Sequence, residues 1–115
     1  MGNLAYVSAP NHNTNRGIIH IFNRTNGGSD NWGEIQKVVM ESAYINTYFG
    51  NDFSFGSSWG IIGSKRSDTL KGEAYFIYYN TSTERWGTQG ISDYQPNQTV
   101  VASDGSANDL FGYAV

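Results

Sequence analysis

One stretch of this chain occurs twice, and that duplication narrows the choice of folds more than any single residue does. Gln36 to Gly50 aligns without a gap to Gln98 to Gly112 at a spacing of 62, with Gln, Val-Val, Asn and Phe-Gly as the shared anchors. A second block, Leu4 to Phe22, aligns to Trp59 to Ile77 at a spacing of 55, pairing Val7 with Ile62, Ala9 with Ser64, Gly17 with Gly72 and Phe22 with Ile77. Inside the second block the loop 11–16 corresponds to the loop 66–71; both are polar and unalike, as surface loops are. The spacings differ because the second copy carries extra residues in Gly87 to Tyr94. A repeated unit of this kind is one supersecondary motif that hides its apolar faces by stacking on its neighbours.

The period inside each copy is that of β-strands. Leu4 to Ser8, Ile18 to Asn23, Glu34 to Met40, Trp59 to Gly63, Ala74 to Tyr79 and Thr99 to Ala102 are rich in β-branched and aromatic residues, and Gly, Pro, Asn or Ser clusters bound them. Phe49 to Phe55 and Phe111 to Val115 each open on Phe-Gly and read as two more strands. No stretch of a dozen residues has a 3.6 period. The expectation is an all-β chain of eight strands, ordered as strands 2, 3 and 4 of one four-stranded unit, then 1 to 4 of the next, then strand 1 again. The ends thus fall inside a hairpin, which suggests a unit excised or engineered from a longer repeat protein.

Composition agrees and removes several functions. The 115 residues include twelve Asn, twelve Ser, eight Thr and fourteen Gly, a turn-rich set, while aromatic residues make up 15% and rule against disorder. Only 15% of residues are charged and the net charge is -3, so no basic patch supports nucleic-acid binding. With no cysteine there is no disulfide framework, thiolate zinc site or cysteine nucleophile. The longest apolar runs are far shorter than the roughly 20 residues a membrane helix needs, and the first residues do not read as a secretory signal. Three Asn-x-Ser/Thr sequons, at Asn23, Asn80 and Asn97, are what so Asn- and Thr-rich a chain contains by chance.

The Phe-Gly starts, the strand ending Val7-Ser8-Ala9-Pro10 and the following Gly17-Ile18-Ile19-His20-Ile21-Phe22 resemble the FG-GAP repeat, and 100–115 looks very like its bacterial form. The resemblance covers nearly the whole chain. It implies β-propeller blades, as in integrin alpha-subunit heads and some lectins, and a parent protein that is secreted or on a cell surface. The chain then divides into strands 2–4 of a first blade (1–48), a second blade (49–110), and a strand 111–115 that completes a first blade by exchange. Two blades leave two apolar faces in water, so the expected partner is the chain itself: a closed homo-oligomeric ring. Propellers hold four to eight blades, which allows a dimer, trimer or tetramer. A trimer is favoured, since four blades would crowd the inner strands and eight would widen the channel. Phe111, Gly112, Tyr113, Ala114 and Val115 form the expected assembly strand.

The family's calcium loop of alternating carboxylates has only weak counterparts here. Asp104 and Asp109 flank a small-residue turn, yet their equivalents are Ser42 and Thr47, so they read as turn formers and no metal or other cofactor is expected. Neither His12 nor His20 sits in a catalytic motif, and the sequence brings no two of Asp52, Asp68, Glu73 and Glu84 together, so no enzyme is expected. Binding has better material. Amides, hydroxyls and aromatic rings suit a carbohydrate, and the candidate ligand residues are Asn11, His12, Asn13, Asn15, Arg16, Trp59 and Asp68, with Trp32 and Trp86 as further aromatic surfaces. Against that, Trp and Tyr between blades also serve as packing. The two readings are a structural and binding scaffold, and a lectin-like propeller.

Overall fold

A computed structural model describes residues 3–41, 45–65, 71–106 and 108–115. The chain is predominantly β, as the strand periods require. The first sheet is a meander of β1 (Leu4–Ala9), β2 (Ile18–Asn23) and β3 (Gly33–Val38). The second holds β4 (Phe49–Phe55), β5 (Trp59–Ser64) and β6 (Glu73–Asn80), whose far edge pairs with β7 (Arg85–Trp86) and β10 (Gln98–Val100). Both meanders are antiparallel. Seven of the eight expected strands therefore form, with boundaries shifted by a few residues.

Two features differ from expectation. The extra residues of the second copy form β8 (Thr88–Gln89) and β9 (Tyr94–Gln95), and these cross to the first sheet, where Tyr94 pairs in parallel with Val38. Each sheet thus has five strands where four were expected. The eighth strand, Phe111 to Val115, is not formed: Phe111 makes one parallel bridge to Gly72, and a turn follows. A strand needs a neighbour along its length to satisfy its ladder. Among the described residues 112–115 pair with no strand; they contact β4 through its side chains.

The sheets face each other across one core. Alternation along β2 turns Ile19 and Ile21 inward, and alternation along β6 does the same for Tyr75 and Ile77. Val38, Phe49, Ile62 and Trp86 complete the cluster, and Tyr6, Phe53, Phe55 and Tyr79 pack around it. Tyr6 stacks on Phe55 at 4.1 Å between ring centroids, and both meet the Trp86 ring edge-on. Each large side chain buried here contributes about 1.5–3 kcal/mol. One polar residue joins them. Gln36 is 5% exposed; its Oε1 accepts the Trp86 backbone N–H at 2.9 Å and its Nε2 donates to the Trp86 carbonyl. This double hydrogen bond ties one sheet to the other and fixes their register.

Candidate functional site

The loop after β1 is Asn-rich for a backbone reason. His12–Asn15 (α1) makes one turn in which Asn13, Thr14 and Asn15 have φ between 53° and 62°, the left-handed region that Asn tolerates best. Side-chain amides brace it: Asn11 Nδ2 donates to Asn15 Oδ1 at 2.9 Å, and Asn15 Nδ2 donates to Asn46 Oδ1 at 2.7 Å. The turn's carbonyls then receive the chain entering β4, with N–H groups of Asn46, Tyr48 and Phe49 bonded to Thr14, Asn15 and Arg16. Asn11 and Asn15, expected as ligand contacts, spend their amides on holding this junction.

His12, Asn13 and Arg16 line a recess of about 200 Å³ whose opposite wall includes Met40, Glu41 and Asp93. Trp59 is not part of it; that ring lies against Phe76 at 5.9 Å and is 51% exposed. Asp68 lies outside the described residues, as do the other residues of 66–70. Of the described members of the expected ligand set, His12, Asn13 and Arg16 share this recess and Trp59 lies apart from it. Glu41 has a task of its own: the backbone N–H of Ile91 above all holds its carboxyl below the ordinary value, desolvation opposes it, and the N–H groups of Ser92 and Asp93 add smaller effects in the same direction as Ile91. It closes the 90–93 loop onto the first sheet.

The Phe-Gly pairs occupy matching places. Gly17 has φ +88°, and a Cβ on it would overlap the Phe49 backbone; Gly72 has φ +90°, and a Cβ there would overlap the Phe111 backbone. The Phe49 N–H bonds to the Arg16 carbonyl at 3.2 Å, and the Phe111 N–H bonds to the Lys71 carbonyl at 3.0 Å. Left-handed φ values recur at Asn46 and Asn108, and at Tyr48 and Leu110. Each second member lies 62 residues after the first. The environments then diverge: Phe49 is fully buried against Tyr75, while Phe111 is 37% exposed. Beyond Phe111 the chain runs beside the start of β4, where Asn51 Nδ2 donates to the Gly112 and Tyr113 carbonyls and Asp52 Oδ2 accepts the Val115 N–H at 3.0 Å. The Lys65 ammonium lies over the Tyr48 and Tyr113 rings at 5.0 and 5.3 Å.

A larger groove of about 600 Å³ opens between the sheets, with Asn3, Asn23, Thr25 and Asn26 on one side and Tyr79, Glu84, Arg85 and Trp86 on the other. The Tyr6 hydroxyl and Trp86 Nε1 are buried with no hydrogen-bond partner among the described residues. Burial pushes the Tyr6 phenol up, more than the neighbouring indole pulls it down. Of the three tryptophans, Trp86 is core, whereas Trp32 and Trp59 are 46% and 51% exposed. His20 bonds to Glu34 at 3.1 Å on the outer side of the first sheet. Asp109 acts as a turn former, its Oδ2 accepting the Ser106 N–H at 2.7 Å. Among the described residues no three His, Asp or Glu side chains gather as a metal site.

Sequence reading missed the Gln36–Trp86 clamp. Its trace was present: Gln36 and Gln98 are both anchors of the repeat, and of the three Trp-Gly pairs, at 32–33, 59–60 and 86–87, the first and last follow corresponding strands. A buried polar group is hydrogen-bonded, so a Gln beside the Val-Val of a strand facing the core needs a partner across it. No protein-family model and no curated protein matches the chain.

Proposed function

We propose that this chain is a pair of FG-GAP-type β-propeller blades, without enzymatic activity, that closes a ring with copies of itself and acts as a structural and binding scaffold. The observation that carries the reading is the twofold Phe-Gly junction, fully covered at Phe49 and 37% exposed at Phe111. At the first junction Phe-Gly leads into β4, which pairs along β5. At the second, the same geometry leads into residues that pair with no strand among the described residues and are held by the Asn51 and Asp52 side chains, while the outer edge of β1, the equivalent of β5, has no partner among the described residues. An unpaired edge invites a strand, and strand 111–115 of another copy fits it.

The internal register sets the match. Phe49 faces Ser64, Asp52 faces Gly63 and Phe53 faces Ile62. Shifted by the repeat spacings, Phe111 faces Ala9, Ala114 faces Ser8 and Val115 faces Val7 of the next copy. Such a contact is head-to-tail and closes when the rotation permits, with three copies giving six blades. Light scattering of the 115-residue protein tests the reading: a closed oligomer is expected, and deletion of Phe111 to Val115 should reduce it to monomer. A monodisperse wild-type monomer overturns it.

A second reading, carbohydrate binding, is favoured by the groove between the sheets, whose amides, Thr25 hydroxyl and Tyr79 ring suit a sugar's hydroxyl and C–H faces. A glycan array tests it. No bound sugar at high protein concentration overturns it.

A further inference from the structure

The contact already made inside the chain is a template for the surface at which copies meet, an inference that rests on the ring reading above. Cross-strand pairing divides each sheet into two faces. In the first sheet Tyr6, Ile19 and Ile21 lie on the buried face, and Val7, His20 and Phe22 lie on the open one. In the second sheet Ile62, Tyr75 and Ile77 are buried, and Trp59, Ile61 and Phe76 lie on the open face.

The repeat exchanges these faces. At a spacing of 55, Tyr6 and Ile21 correspond to Ile61 and Phe76, so the buried face of the first sheet becomes the open face of the second. Val7, His20 and Phe22 correspond to Ile62, Tyr75 and Ile77, so the open face of the first sheet matches the buried face of the second. The two open faces therefore form the same complementary pair that already packs in the core. They differ in lying at opposite ends of the molecule.

We infer that the open face of the second sheet, centred on Trp59, Phe76 and Gln98, docks on the open face of the first sheet of another copy, centred on Val7, Phe22 and Trp32. The Gln36 clamp makes the assignment specific. Gln36 corresponds to Gln98, which is exposed. Trp86, whose backbone Gln36 holds, pairs with Tyr79, and the Gly87 N–H bonds to the Tyr78 carbonyl. Gly33 pairs with Asn23 in the same position of the first sheet, which makes Trp32 the counterpart of Trp86. Trp86 is 1% exposed and Trp32 is 46% exposed. In the assembly Gln98 takes the Trp32 backbone of the next copy, and that indole leaves water as Trp86 has done. The occupant is a second copy because the required partner face, with its Trp-Gly turn, is the one this chain itself presents.

Charge placed on either open face tests the inference by complementation. Trp59→Arg and Val7→Arg change half-exposed positions, and circular dichroism checks that each variant folds. Each alone should be monomeric where the wild type is oligomeric. Mixed, they should form a one-to-one dimer, since one good pair of faces survives between them. Gln98→Ala is a milder variant at an exposed position; it should weaken association about tenfold or more, as loss of two buried hydrogen bonds predicts. If the wild type is a monomer, the ring reading and this inference both fall. If the wild type is an oligomer that persists in Trp59→Arg or Val7→Arg, or that Gln98→Ala leaves at full affinity, or if the mixture yields no dimer, the ring reading stands and this pairing of faces is wrong.

Discussion

Gly17 lies directly beneath the backbone of Phe49, with φ +88° and no room for a Cβ. Two demands meet at this glycine: a left-handed conformation, and contact with a peptide from the neighbouring sheet. The same pair of demands recurs at Gly72 beneath Phe111. The Phe-Gly junction is thus a backbone-on-backbone contact, and the side chain of the phenylalanine is free to fill the space between sheets.

Gly17→Ala should be among the most damaging single-methyl additions in this chain. The left-handed region alone costs a non-glycine residue about 1–2 kcal/mol, and displacing the Phe49 backbone adds to that. Urea unfolding should show a loss of about 2 kcal/mol or more. A stability within a few tenths of wild type would mean that the two backbones are not in contact.

Gln36→Leu keeps the side chain's bulk and removes both hydrogen bonds to Trp86. A buried N–H and C=O then lack partners, at about 1–3 kcal/mol for each group left unsatisfied. Gln36→Glu keeps the acceptor for the Trp86 N–H but sets a carboxylate oxygen against the Trp86 carbonyl, so it should be no better at neutral pH. Thermal melts of the two variants decide; a Leu variant as stable as wild type would show that packing, not the clamp, joins the sheets.

Much of this fold was legible in the chain because strands with one buried face must alternate, and the alternation of Ile19, Ile21, Tyr75 and Ile77 is undisguised. The repeat located Gly17 with Gly72 and Phe49 with Phe111 before any contact was known. Sites were harder to read. Asn11 and Asn15 have the chemistry of ligand contacts, but the same amides brace a left-handed turn, and composition does not tell these uses apart. The short strands β8 and β9 escaped because Thr88, Gln89 and Gln95 carry no apolar alternation; they are held by main-chain bonds and by the carboxylate of Glu41.

Glu41 should make the 90–93 loop pH-sensitive. Its carboxyl titrates below its ordinary value of 4.5 because the loop's N–H groups bond the charged form. A group whose pKa is lowered by folding adds stability above its unfolded pKa, and that stability disappears as pH falls through the folded value. Amide exchange of Ile91 and Ser92 should therefore be slow at neutral pH and, corrected for intrinsic rates, lose protection below about pH 4.5. Glu41→Gln should remove the pH dependence. Protection unchanged to pH 2 would show that the carboxylate does not hold the loop.

Phe49 and Phe111 are equivalent in sequence and in their docking, and they differ in what covers them. Phe49→Ala empties a site that Tyr75 closes, and a large-to-small change of this kind costs about 3–5 kcal/mol. That loss should appear at every protein concentration. Phe111→Ala removes a ring that is 37% exposed in the single chain, so at high dilution it should lower the melting temperature by only a few degrees, well short of the Phe49→Ala loss. Concentration separates the two phenylalanines. If strand 111–115 completes the sheet of another copy, wild-type melting rises with concentration by mass action, because association stabilises only the folded state. Phe111→Ala should flatten that rise with only a small loss at high dilution, while Phe49→Ala should lower melting strongly throughout. Equal and concentration-independent effects of the two changes would mean that Phe111 belongs to the core of its own chain and that the second junction awaits no partner.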